Sequence, residues 1–174
     1  MTIERILFTD EQIQARIREV AAEISTRYAG RSLKLIGVLK GSVFFLTALA
    51  REITIPVKID FLGISSFSSS QKQAHGLVRI SKDLDESIEG EDVLLVEDII
   101  DTGFTTRYLL QTLAGRGPNS VAICTLLDRT IRRIVQIPVD FRCFEIPDRF
   151  VVGFGLDHLQ LYRNLPYIAV MSQT

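Results

Sequence analysis

The stretch Val93-Leu-Leu-Val-Glu97-Asp98-Ile-Ile-Asp101-Thr102-Gly103-Phe104-Thr105-Thr106 decides how this chain is read. Its first four residues are apolar without interruption, the pattern of a strand covered on both faces in a parallel sheet. That strand runs directly into two adjacent carboxylates, Glu97 and Asp98. Two apolar residues follow, then Asp101, then a Thr-Gly-x-Thr-Thr turn that opens a predicted helix over Thr105–Ala114. Strand, acidic edge, turn and helix are the repeating parts of an α/β protein. In an open α/β sheet, ligands bind at the carboxyl ends of the strands, where these three acids would stand.

The turn has its own physics. Gly103 lets backbone approach a ligand closely, and a helix start leaves amide N–H groups without intrahelical partners. Those amides, with the hydroxyls of Thr102, Thr105 and Thr106, make a small anion nest that fits a single phosphate monoester. No GxxxxGK[ST] is present, which excludes a nucleoside-triphosphate loop. A capped helix after an ordinary strand would explain a lone Asp-Thr-Gly. It does not explain two further acids on the buried strand just before it. Carboxylates beside a phosphate nest repel the ligand unless something fits between. A sugar reconciles them: the acids accept hydrogen bonds from vicinal hydroxyls while the 5′-phosphate sits on the amides. Mg²⁺ would relieve repulsion from any second anion.

Outward from this stretch, strands alternate with helices. Ile13, Ile17, Val20, Ala21, Ile24 and Tyr28 line one face of a helix, with Thr9 and Gln12 as a capping box and Gly30 as a stop. Leu33–Leu39 reads as a buried strand, Lys40-Gly41-Ser42 as a break, Val43–Glu52 as a helix and Val57–Ile64 as a strand. Residues 65–76 hold almost nothing to bury and read as a mobile loop, either a functional lid or an idle hairpin tip. Strand character returns at Leu77–Ser81, Val121–Leu127, Asp140–Ile146, Phe150–Phe154 and Tyr167–Met171. The expected fold is a mostly parallel twisted sheet flanked by helices. The strand-rich final third, without long helices, points to a small appended subdomain.

Composition narrows the function. The 174 residues carry 20 Lys+Arg against 21 Asp+Glu and are 47% hydrophobic. A formal charge of −1 argues against a protein that coats a polyanion, so no nucleic-acid partner is expected. The longest near-apolar run, Val43–Ala50, is far short of the ~18 to 20 residues of a membrane span. Met1-Thr-Ile-Glu-Arg-Ile-Leu is too short and too charged for a secretory signal. Cys124 and Cys143 both sit in apolar strand-like runs, which reads as buried reduced thiols in a cytoplasmic protein.

Val93–Thr106 closely resembles the phosphoribosyl-diphosphate signature of the type I phosphoribosyltransferases. The resemblance extends to the hypoxanthine (and hypoxanthine-guanine) enzymes of purine salvage, through Val38-Leu-Lys40-Gly41-Ser42, Lys82-Asp83-Leu84-Asp85, Cys124–Arg129, Glu145–Asp157 and Tyr162-Arg163-Asn-Leu-Pro-Tyr. It covers about residues 10 to 171 and implies one phosphoribosyltransferase domain over residues 1–174, with a lid near 65–76 and a hood from both terminal segments. The implied reaction moves ribose 5-phosphate from phosphoribosyl diphosphate to N9 of a 6-oxopurine, with Mg²⁺, giving IMP or GMP and pyrophosphate. By resemblance, Glu97 and Asp98 hold the ribose hydroxyls, partly through the metal, with Asp157 as a further metal ligand through water. Asp101 is the general base or acid beside N7. The backbone of Asp101, Thr102, Gly103, Phe104, Thr105 and Thr106 holds the 5′-phosphate. Lys40, Gly41, Arg163, Ser66 and Phe67 fall at the pyrophosphate, with a non-proline cis peptide at Leu39–Lys40. Arg129, Phe150 and Val151 fall at the purine. A homodimer or homotetramer is implied.

Three positions depart from the family pattern. Arg129 stands where the family usually has Lys, so a point charge becomes a planar fork. A donor still faces the purine 6-oxo group, but the balance of hypoxanthine against guanine is open. Phe67 replaces the lid tyrosine, removing a phenolic hydroxyl. Phe104 occupies an often polar position, where only its amide is needed. The alternatives are an enzyme preferring guanine or xanthine, and a regulator that keeps the fold but binds nucleic acid. A pure binder has no need of Asp101.

Overall fold

The computed structural model describes residues 2–66 and 78–172. Its main layer is a six-stranded sheet in the order β4-β3-β2-β5-β6-β7, built from β2 (Leu33–Leu39), β3 (Val57–Ser66), β4 (Val78–Lys82), β5 (Asp92–Ile100), β6 (Ser120–Asp128) and β7 (Phe141–Glu145). All neighbours run parallel except the edge strand β4, which is antiparallel to β3. The mostly parallel α/β sheet expected from the alternation is therefore present. Among the described residues three α-helices accompany it: α1 (Asp10–Arg27), α2 (Ser42–Glu52) and α3 (Phe104–Ala114).

The buried strands explain why both faces are covered. Leu35, Leu94 and Val96 pack with Ile13, Ile17, Phe45 and Leu49 of α1 and α2. The alternate residues Ile36, Val38, Val93 and Leu95 pack with Leu109 and Leu113 of α3. Side chains alternate across a strand, so a continuous apolar run feeds two cores at once. Fully burying each such side chain contributes ~1.5–3 kcal/mol. Cys124 and Cys143 lie in the α1-side core as free thiols. Helix α1 begins with the expected capping box: Thr9 Oγ1 accepts from the Gln12 amide and Gln12 Oε1 accepts from the Thr9 amide.

Three readings need correction, and one strand went unread. Strand β5 is nine residues long, so the strand read from the apolar run Val93–Val96 extends through Glu97 and Asp98 to Ile100. Pairing with β6 carries the strand on to Ile100. The strand expected over Phe150–Phe154 shrinks to β8 (Val151–Val152), because Gly153 and Phe154 both take positive φ and turn the chain. Asp140–Ile146 supplies β7 of the main sheet and takes no part in the small one. That small sheet has the order β1-β9-β8, with β1 (Ile3–Phe8) antiparallel to β9 (Ile168–Met171). Strand β1 gave no signal in the sequence, since its first four residues are exposed and carry no apolar alternation.

Sheet order positions the site. Strands β2 and β5 are sequentially remote neighbours, and the connections leave them toward opposite sides, which makes a topological switch point. Their pairing stops at Gly37–Val96. Beyond it, the ends of both strands splay apart and open a crevice. No helix among the described residues is long and apolar enough to cross a membrane.

Candidate active site

The crevice holds a cavity of about 300 Å³ lined by residues 38–41 at and just beyond the end of β2, by Glu97, Asp98 and Asp101, by Thr102, Gly103, Thr105 and Thr106, and by Arg163. A second cavity of about 230 Å³ shares Asp98, Ile99 and Asp101 with it and adds Arg129, Phe150, Val151, Leu156 and Asp157. Residues separated by more than 120 positions thus line one continuous site.

Two helices begin at its wall. Helix α3 starts after Gly103, whose φ of 91° only glycine adopts comfortably, and no side chain caps it. Helix α2 starts after Gly41, again without a side-chain cap. Neither has an acid in its first turn, whereas α1, which lies elsewhere, has both a cap and Asp10 and Glu11. The two helix starts that reach the cavity therefore carry neither a side-chain cap nor an acid of their own first turn at the positive dipole end, which suits an anion. One reading changes here. The Thr106 hydroxyl donates to Glu97 Oε1 at 3.4 Å, so its proton is not free for a phosphate.

The carboxylates differ in environment. Glu97 is buried, and burial first, then the Asp98 charge, pushes its pKa well above the usual carboxylate range. Burial raises Asp98 to about 6; the amide of Ile99, donating to Oδ1 at 2.9 Å, and the Arg163 charge oppose this, while the Asp157 charge adds to it. Asp157 lies across the site, its Oδ1 2.8 Å from Arg163 Nη2. Arg163 also donates to the Gly155 carbonyl at 2.7 Å. Among the described residues no three His, Cys, Asp or Glu side chains form a ready cation cage. This donor set still fits Mg²⁺, a hard ion that keeps several waters and takes one or two carboxylates together with substrate oxygens.

Asp101 stands between the two cavities. Its Oδ2 lies 3.3 Å from Arg129 Nη1 and 3.7 Å from Arg132 Nη1, and its Oδ1 is buried without a partner. Arg129 is nearly buried; its Nη2 donates to the Arg149 carbonyl at 2.7 Å, and its Nε is also unpartnered. Each such orphan costs ~1–3 kcal/mol unless a ligand or water meets it. Phe150 is partly exposed and meets His158 edge-on at 5.6 Å, leaving ring surface at the second cavity. Lys40 follows a cis Leu39–Lys40 peptide at the rim.

Every site residue named from the sequence whose side chain is described comes to these two cavities except Phe104, which is exposed at the first position of α3. Phe67 and most of the expected lid lie outside the described residues, as does the side chain of Ser66. Sequence reasoning missed Arg132 and Arg133. Their signal was present in Arg129-Thr-Ile-Arg132-Arg133, a charged run directly after a buried strand, the same shape that marked 97–101.

Residues 6–159 match the phosphoribosyl transferase domain family. The chain is 47% identical to the hypoxanthine phosphoribosyltransferase of Salmonella typhimurium, over 96% of this chain and 94% of that protein. It is 44% identical to the hypoxanthine-guanine phosphoribosyltransferase of Streptococcus agalactiae, over 98% of this chain and 94% of that protein. The crystal structure of a hypoxanthine-guanine phosphoribosyltransferase from Bacillus anthracis superimposes with a TM-score of 0.93 at 40% identity, covering 98% of this chain and 100% of that one.

Proposed function

This chain belongs to the phosphoribosyl transferase family and is a transferase of purine salvage, and from that premise we propose that it moves the 5-phosphoribosyl group from phosphoribosyl diphosphate to N9 of hypoxanthine and of guanine. The products are IMP or GMP and pyrophosphate. The observation that carries this reading is the crevice between β2 and β5, where two uncapped helix starts and the acids Glu97, Asp98 and Asp101 face one cavity. A sugar bearing an anion at each end matches that distribution of charge.

In this reading the amides of residues 101–106 seat the 5′-phosphate, and Glu97 and Asp98 hold the 2′- and 3′-hydroxyls. Lys40, Gly41 and Arg163 hold the pyrophosphate, with Ser66 and Phe67 as further contacts to it. The bond from C1′ to the pyrophosphate oxygen breaks, and the bond from C1′ to N9 forms. The proton that the purine gives up goes from N7 to Asp101. Phe150 stacks on the purine, the Val151 backbone meets its polar edge, and Arg129 donates to the 6-oxo group. Mg²⁺, held at Glu97 and Asp98 with Asp157 through water, would supply charge neutralisation for the diphosphate. Residues 1–174 form one domain, with the sheet of β1, β8 and β9 as its hood. The enzyme works in the cytoplasm as a homodimer or homotetramer, with no nucleic-acid or membrane partner.

The test is a steady-state assay of pyrophosphate release with phosphoribosyl diphosphate, Mg²⁺ and, separately, hypoxanthine, guanine, xanthine and adenine. Turnover with hypoxanthine and guanine and none with adenine supports the reading. Turnover confined to xanthine, or no turnover with any purine, overturns it.

A further inference from the structure

Three consecutive carbonyl groups at the carboxyl end of β5 are all taken by one segment. The Ile100 oxygen accepts from the Arg129 amide at 2.9 Å, and the Thr102 oxygen accepts from the amides of Ile134 and Val135 at 3.0 Å each. Between them, the Asp101 oxygen accepts from Arg133 Nε at 3.1 Å. A trans peptide points its N–H opposite to its C=O. Holding these oxygens on the 129–135 side therefore turns the N–H groups of residues 101, 102 and 103 the other way, into the cavity.

Most of this brace is backbone, which many sequences could supply. Arg133 is its side-chain component. Its side chain is almost fully enclosed, at 11% exposed, and is paired through the guanidinium with Asp128, whose side chain is 4% exposed at the end of β6. Asp128 also accepts from Arg142 at 3.2 Å, and its backbone oxygen accepts from the Ile146 amide at 3.0 Å. Nε and Nη2 of the Arg133 fork are thus held by protein groups, and Arg133 lines neither of the two cavities. Its stem packs under the turn: a Cβ on Gly103 would lie 3.1 Å from Arg133 Cδ and 2.7 Å from the Val135 oxygen.

We propose that Arg133, anchored by Asp128, is a positioning residue that aims the backbone amides of Asp101, Thr102 and Gly103 at a phosphate monoester. This rests on the phosphate-binding reading above and extends it to a side chain that never touches the ligand. The conservative variant separates the two ends of the fork. Lysine keeps the charge for Asp128 but ends in one nitrogen, which cannot also hold the Asp101 carbonyl through an Nε.

The experiment compares the parent with Arg133→Lys and Asp128→Asn. Titration calorimetry measures binding of ribose 5-phosphate, steady-state kinetics give KM for each substrate, and thermal unfolding reports the fold. In Arg133→Lys, Kd for ribose 5-phosphate and KM for phosphoribosyl diphosphate should each rise about tenfold or more, since a displacement near 1 Å has that scale of effect. KM for the purine should stay within about twofold, a split that general destabilisation would not produce. Asp128→Asn should move the same two constants in the same direction. Unchanged ribose 5-phosphate binding in Arg133→Lys, or an equal rise in purine KM, overturns the inference. The parent reports separately on the reaction. A parent that binds ribose 5-phosphate more tightly than Arg133→Lys, yet turns over no purine, sinks the proposed reaction and leaves the brace standing.

Discussion

The Asp98 carboxylate lies against the backbone of Gly41, so close that a Cβ built on residue 41 would fall 1.6 Å from Asp98 Oδ2. From its other side, the Gly41 carbonyl oxygen lies 2.0 Å from where a Cβ on Gly155 would be. Three stretches of chain, after β2, within β5 and after β8, meet at glycines because no side chain fits between them.

Gly41→Ala should therefore push Asp98 aside or shift the 39–41 turn. Either displaces a wall of the cavity, and kcat/KM for phosphoribosyl diphosphate should fall by ~100-fold. The core packing is elsewhere, so the far-ultraviolet circular dichroism should be that of the parent. Activity within a few-fold of the parent would show that Asp98 and Gly41 need not touch.

Asp101→Asn keeps the shape of the side chain next to Arg129 and removes its capacity to take a proton. The expected outcome is a fall in kcat of ~10²-fold or more, with KM for phosphoribosyl diphosphate changed little. Stopped-assay kinetics with hypoxanthine check this. A raised KM with unchanged kcat would assign Asp101 to binding alone.

The Arg129 fork spans Asp101 at 3.3 Å and the Arg149 carbonyl at 2.7 Å. A lysine reaches one of these but not both. Arg129→Lys should keep turnover of 6-oxopurines and change the ratio of kcat/KM for hypoxanthine to that for guanine. The same ratio in parent and variant would remove Arg129 from base reading.

Asp92 gives a pH-dependent contribution at the opposite end of the sheet. Its carboxylate accepts from Ser120 Oγ at 2.6 Å and Asn119 Nδ2 at 2.8 Å and pairs with Arg31 at 3.0 Å. The Ser120 hydrogen bond is the largest cause that lowers its pKa, against the opposing effect of burial. A folded-state pKa below the unfolded value means stability that is present above about pH 4 and lost as pH falls through the folded value. Asp92→Asn should cost ~1–3 kcal/mol at pH 7. The gap in unfolding midpoint between parent and variant should close as pH drops below about 4. A gap that is constant from pH 7 to pH 3 would mean that charge plays no part.

Burial pushes the Cys143 thiol up to about 12 and raises Cys124 as well. The reactive species is the thiolate, so both should resist a thiol-specific reagent at pH 8 in the folded protein and react promptly in guanidinium chloride. Titration of free thiols under the two conditions measures this. Rapid reaction of the folded protein would place a cysteine at the surface.

The local sequence was enough to locate the central elements and the acidic site stretch. Strand β2 is legible because a run of apolar residues ends at Lys40-Gly41, and α1 because its apolar residues repeat at helical spacing between a capping box and a glycine. Glu97, Asp98, Asp101 and the turn to Thr106 are contiguous, so their chemistry could be read without knowing what lies opposite. The long extent of β5 could not be read, since carboxylates inside a strand look like its end until the pairing with β6 is known.

By itself, then, the sequence determined the α/β alternation, the buried strands and the acids with their phosphate turn, all of which follow from periodicity and residue chemistry over a few positions. Only the tertiary structure decided that β2 and β5 part after Gly37–Val96, that β1 joins β9 from the other end of the chain, that Gly41 lies under Asp98, and that Arg133 braces the turn. Those relations join residues that are far apart in sequence. They depend on strand order and on how closely backbones approach, which no local pattern of side chains encodes.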